Sequence, residues 1–178
     1  MELAATELPG LHLIRPPVSQ DARGSFVKTY HADRFRELGI AFEPREEFFS
    51  TSAKNVVRGM HFHLPPVAHA KLVYCITGRV LDVVLDLRKN SPTFGKCCAR
   101  ELSAANRLMF FMPVGVAHGF LSLEDNSTMV YQTSTVYSPA QDAGVRWDSF
   151  GFHWPVQTPV LSERDLKLPG FREFSSPF

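Results

Sequence analysis

Residues 58–71 read RGMHFHLPPVAHAK and hold three histidines, an arginine and a lysine. His61 and His63 alternate across Phe62, so on a strand both imidazoles face the same side. Two chemistries suit such a cluster. Neutral imidazoles ligate divalent metals. An imidazole with a near-neutral pKa also accepts a proton from a carbon acid. Lys71 bears on the choice. An ammonium is all donor and has no lone pair while charged, and it repels a cation held beside it. Further along the chain stand His118 in PVGVAHGF, Tyr131 in TMVYQT and Asp165 in LSERD. Ser162-x-x-Asp165 also has the spacing of a helix capping box, so its carboxylate has two possible uses.

Strands must position these residues. KLVYCITG and RVLDVVLDLR are β-branched runs joined at Gly78. Asp82 and Asp86 fall on one face of the second run; these two, with Arg88 and Lys89, read as structural or solvated. LMFFMPVGVAHGFLSLE predicts two short strands around Pro113 and Gly115, and TMVYQTSTVYSP another strand. HADRFRELG predicts a helix closed by Gly39, and LSERDLKLPGF one more helical turn. With thirteen prolines and eleven glycines, many short strands with many turns are expected. The fold class is all-β: an antiparallel barrel or sandwich with a few short helices.

The chain has 178 residues, the size of one ordinary domain, and 44% of them are hydrophobic, enough for a real core. Lys and Arg number 19 against 18 Asp and Glu, which speaks against a nucleic-acid or membrane surface. No apolar run spans a bilayer, and MELAATELPG lacks a signal-peptide pattern, so a cytoplasmic protein is expected. Three cysteines without a CxxC pair indicate neither a disulfide framework nor a zinc knuckle.

The spacing Gly59, His61-x-His63, Lys71, Gly78, followed by Pro113-x-Gly115-x-x-His118, resembles the two motifs of the cupin superfamily, a double-sheet jelly-roll barrel. Metal-binding cupins mostly carry a glutamate near the position of Lys71. A metal-dependent cupin of dioxygenase type, using His61, His63 and His118, is the alternative these residues leave open; a non-catalytic sugar-binding cupin is a third. The resemblance extends further. DARGSF, RGMHFH, KLVYCITGRVLDVVLDLRKNSPTFGK, LSAANRLMFFMPVGVAHGF, YSP, WDSFGFHWP and LSERD stand in the order of the dTDP-4-dehydrorhamnose 3,5-epimerase family. That resemblance implies a cofactor-free, metal-free epimerase acting next to the C4 ketone of a nucleotide-linked 6-deoxyhexose, in deoxysugar or surface-polysaccharide biosynthesis.

The resemblance implies roles residue by residue. His61 matches the base, Asp165 the carboxylate that orients it, and Tyr131 the acid that returns a proton from the opposite face. Lys71 is assigned to the enolate, whose developing charge a fixed ammonium stabilises. Arg58 and His118 match contacts to sugar and phosphate oxygens. Arg23 matches a diphosphate-binding arginine, and Phe26 and Tyr137 are candidates to pack on base or sugar. His63 and His69, where the family often has glutamine, read as pocket-lining hydrogen-bonding groups that do not titrate. Lys28, Glu46 and Phe48 depart from the family's usual glutamate, glutamine and asparagine, which implies a relative with altered substrate or one that inverts a single carbon. A homodimer is implied, with the segment around Arg23 and Phe26 reaching into the partner's pocket.

Overall fold

The computed structural model describes residues 1–178. Its strands are β1 (Glu2–Ala5), β2 (His12–Arg15), β3 (Val18–Asp21), β4 (Gly24–Val27), β5 (Glu46–Ser52), β6 (Val57–His63), β7 (Lys71–Thr77), β8 (Arg79–Asp86), β9 (Cys97–Ser103), β10 (Met109–Met112), β11 (Val116–Ser122), β12 (Ser127–Thr133) and β13 (Asp142–Gly144). Helices are few and short: α1 (Ala32–Glu37), α2 (Glu163–Leu166) and one 3₁₀ turn, Phe171–Glu173. A six-stranded sheet has the order β1-β2-β10-β7-β12-β5, a five-stranded sheet the order β13-β6-β11-β8-β9, and β3-β4 form a separate hairpin. This is the expected cupin-type double-sheet jelly roll.

The runs that the sequence joins at Gly78 and at Pro113–Gly115 are strands, but each pair is split between the two sheets. Gly78 has φ 70°, and a Cβ there would lie 2.6 Å from Ser127 Oγ, so glycine lets the chain cross. Alternation sends one side of each sheet into a shared core that includes Val73, Cys75, Val84, Phe110, Phe120 and Met129. Phe110 and Phe120 are fully buried, and such a side chain contributes roughly 1.5–3 kcal/mol. Outside the six-stranded sheet, α1 packs Phe35 with Leu72, Met109 and Phe111. The C-terminal segment lays Trp154, Phe174 and Phe178 over the five-stranded sheet. Gly39 has φ 77° just past α1, as its closing role requires. The last predicted strand ends at Thr133, short of Ser138-Pro139.

One irregularity positions the site. On β11, His118 faces His61 and Phe120 faces Arg58, so Gly59 and Met60 together oppose Gly119 alone. This β-bulge turns Arg58 and His61, three positions apart, toward the same side. Gly59 has φ 126°, and an added Cβ would sit 2.5 Å from Gly119 Cα and 2.8 Å from the His118 carbonyl oxygen. No other residue fits there without moving β11.

Candidate active site

The two sheets open at one end on a cavity of about 360 Å³. The six-stranded sheet contributes Glu46, Phe48 and Ser50 from β5, Lys71 from β7, and Tyr131 and Thr133 from β12. The five-stranded sheet contributes Arg58, His61 and His63 from β6, His118 and Phe120 from β11, and Asp142 from β13. His69, Tyr137 and Arg164 complete the lining. His61 and Tyr131 therefore stand on opposing walls, and Lys71 shares the wall of Tyr131.

His61 Nε2 lies 2.7 Å from Asp165 Oδ1 and donates to it, which leaves Nδ1 as the imidazole's lone-pair nitrogen. Asp165 Oδ2 accepts the N–H of Gly59 at 3.2 Å. The capping geometry is present as well, and it does not compete: Ser162 Oγ accepts the backbone N–H of Asp165, so the carboxylate stays free for His61. Burial would raise the Asp165 carboxyl, but the hydrogen bond and charge of His61 hold it below its ordinary value. Burial lowers the His61 pKa, and Asp165 opposes that shift without cancelling it. Arg164 stands beside the pair, Nη1 3.3 Å from His61 Nε2. Because that nitrogen already donates to Asp165, the arginine acts as a nearby cation, and it is held by Asp142 Oδ1 at 2.7 Å.

Lys71 Nζ donates to the His61 carbonyl at 3.3 Å, and burial brings its pKa down to about 8. Lys71 also lines the cavity. Tyr131 is buried, which pushes its phenol up and keeps it protonated; its hydroxyl lies 3.0 Å from Ser50 Oγ. His118 Nε2 donates to Asp82 Oδ2 at 2.8 Å, with both side chains buried. Asp82 is thus not solvated. Asp86 is not either: it accepts from Arg88, Ser91 and Thr93.

His63 and His69 form a tilted pair with ring centroids 4.5 Å apart. His63 Nε2 accepts the N–H of Ser138, and His69 Nδ1 meets Thr135 Oγ1 at 3.1 Å. The Thr135 hydroxyl donates to the Val67 carbonyl, so His69 is the donor in that contact. Burial lowers both imidazoles, His69 to about 3, so they hydrogen-bond in the neutral form. The metal alternative finds no such geometry. His61 and His118 each turn Nε2 to a carboxylate, and no three or more His, Cys, Asp or Glu side chains converge as ligands.

Arg58 donates to Ser52 Oγ and the Thr51 carbonyl, which orients its guanidinium at the rim. Glu46 Oε2 accepts the N–H of Tyr137, and the Tyr137 hydroxyl meets Asp142 Oδ2 at 3.2 Å. Arg23, Phe26 and Lys28 lie apart from the cavity of a single chain. Arg23 sits at the exposed tip of the β3-β4 hairpin, paired to Asp21, Phe26 is 65% exposed, and Lys28 directly follows β4. Ser50, Phe120, Thr133, Asp142 and Arg164 also line the cavity, without having been singled out from sequence. Period-2 counting from Tyr131 reaches Thr133, and Arg164 adjoins Asp165 in LSERD; Asp142 carries no such signal.

Similarity to known proteins agrees with this geometry. The family profile of dTDP-4-dehydrorhamnose 3,5-epimerase matches residues 5–173. A dTDP-4-dehydrorhamnose 3,5-epimerase from Shigella flexneri is 41% identical over 169 residues, covering 93% of each chain. A dTDP-4-dehydrorhamnose 3-epimerase from Streptomyces niveus is 38% identical over 168 residues, 93% of this chain and 81% of that one. The crystal structure of dTDP-4-dehydrorhamnose 3,5-epimerase from Elizabethkingia anophelis superposes with a TM-score of 0.91 at 39% identity, over 97% of each chain. With the profile spanning nearly the whole chain and the double-sheet barrel shared, the protein belongs to the dTDP-4-dehydrorhamnose 3,5-epimerase family.

Proposed function

We propose that the whole chain acts as one cytoplasmic epimerase domain, which inverts C3, with or without C5, of a nucleotide-linked 4-keto-6-deoxyhexose in deoxysugar or surface-polysaccharide biosynthesis. The reading rests on one observation above the rest: His61, paired to the Asp165 carboxylate, and the buried Tyr131 line one cavity from strands of different sheets. Inversion needs a proton removed on one face of the sugar ring and returned on the other. His61 Nδ1 takes the proton alpha to the C4 ketone, and Asp165 stabilises the imidazolium that forms. The electron pair moves to the carbonyl oxygen, where the Lys71 ammonium stabilises the enolate. Tyr131 then protonates the carbon from the far side. No step calls for a metal or cofactor.

Recognition falls to the cavity wall and its rim. Arg58 and His118 serve sugar and phosphate oxygens, Arg23 the diphosphate, and Tyr137 and Phe26 the base or sugar. Lys28, Glu46 and the His63–His69 pair set the substrate's fit. Arg23, Phe26 and Lys28 are far from the cavity of their own chain, so these roles call for a homodimer in which each hairpin serves the partner's site. Support comes from the uncovered apolar residues Phe26, Phe49 and Ile76 and from β5, an unpaired edge strand.

Incubation with a panel of 4-keto-6-deoxy nucleotide sugars in deuterium oxide tests the reading. One of them should gain deuterium at C3, or at C3 and C5, with inversion. Absence of exchange into every member of the panel would overturn it.

A further inference from the structure

Tyr131 is held from more sides than its hydrogen bond requires. Phe48 is its direct cross-strand partner, β5 to β12, and the two rings stack with centroids 4.8 Å apart and planes 13° from parallel. Ser50, two positions on, holds the hydroxyl at 3.0 Å. The His118 ring closes the edge at 6.0 Å. A tyrosine fixed only through its hydroxyl can still turn about the bond to its ring, where the torsional well is broad. The parallel face of Phe48 removes that freedom. Phe48 itself is 46% exposed and lines a cavity in which most of the lining residues are polar. An apolar ring there is accounted for by the face it presents to Tyr131.

We infer that Phe48 is a positioning residue, whose stacked ring fixes the Tyr131 phenol at the distance from which it protonates the enolate. The inference rests on the reading of Tyr131 as the acid. Its consequence follows from how an enolate is consumed. Once His61 has taken the carbon-bound proton, its imidazolium exchanges that proton with solvent; the imidazole side chain is 27% exposed. If Tyr131 donates, the carbon is inverted, and the tyrosinate regains a proton from solvent through Ser50. If Tyr131 is misplaced, His61 returns a deuteron to the face it came from, and the sugar is recovered labelled with its configuration retained. Misplacing a reacting group by about 1 Å costs on the order of 10²-fold. Loosening the phenol should therefore shift the balance between the two fates without stopping enolate formation.

The test is the ratio of inverted product to labelled, unepimerised substrate in deuterium oxide, for wild type, Phe48→Ala, Phe48→Leu, Phe48→Tyr and Tyr131→Phe. Tyr131→Phe should lower the ratio. Phe48→Ala and Phe48→Leu should lower it by about 10- to 100-fold while total exchange stays within a few-fold. Phe48→Tyr keeps a stacking ring and should hold the wild-type ratio. Phe48→Leu serves if Phe48→Ala does not fold. A lowered ratio in Tyr131→Phe with a wild-type ratio in both truncations overturns the role of Phe48 alone. So does a raised KM at unchanged ratio, which would make Phe48 a contact of the sugar. A wild-type ratio in Tyr131→Phe overturns the acid assignment itself, and the positioning role with it.

Discussion

In the proposed mechanism His61 works as a base only when neutral, and Lys71 stabilises an enolate only when charged. Burial lowers both pKa values, His61 below its ordinary value and Lys71 to about 8. The two requirements leave a window. kcat/KM should rise as pH passes upward through the His61 pKa, below about 6.5, and fall as it passes through about 8, where Lys71 loses its proton. Asp165 is the group that raises the His61 pKa. Asp165→Asn should therefore move the acidic limb to lower pH while reducing the rate. A pH–rate profile whose acidic limb stays in place or moves up contradicts the pairing. The partnership of His61 and Asp165, 104 positions apart, could not be read from either residue alone. Only the resemblance joined them, because the Ser162 spacing explained Asp165 equally well as part of a cap. Both uses coexist, since the cap takes the backbone N–H and the dyad takes the carboxylate.

At the scale of elements, the sheets and their alternation were legible in the β-branched runs of β7 and β8 and the apolar runs around Pro113 and Gly115. Which sheet each strand joins was not, because sheet membership depends on long-range pairing that local pattern does not encode. The bulge in β6 was equally silent, although Gly59 stands in plain view. It brings Arg58 and His61 to the same cavity and lends its N–H to Asp165. Gly59→Ala places a Cβ against Gly119 and the His118 carbonyl at a φ that alanine avoids. The backbone strain alone is of order 1–3 kcal/mol. Urea unfolding should show a loss of at least that size. Activity should fall further than the folded fraction does, because the strand carrying His61 is displaced. Wild-type stability would mean that β11 yields without cost and that the close approach is not required.

At the scale of the molecule, the cavity of one chain contains the proposed proton-transfer groups but not Arg23, Phe26 or Lys28. The sequence carried the hairpin's importance only through the family resemblance; its four-residue strands and exposed side chains give no local sign of a binding role. A homodimer with exchanged hairpins makes a sharp prediction. In a mixed dimer of His61→Ala and Arg23→Ala chains, one site combines both lesions and the other combines neither. Two weakly active variants should recover activity when mixed under conditions that allow subunit exchange. Additive activity with no recovery would place both residues in a site built from one chain. No helix is long and apolar enough to cross a membrane.

In the proposed mechanism His61 removes a carbon-bound proton without help from a metal. The most direct measurement is deuterium uptake from solvent into a 4-keto-6-deoxy nucleotide sugar, in the presence of a strong chelator, by wild type and His61→Ala. Wild type should exchange at full rate, and His61→Ala should lose exchange and inversion together, by roughly 10²–10⁴-fold. Exchange that persists in His61→Ala, or that vanishes from wild type with the chelator and returns with an added divalent ion, would contradict it.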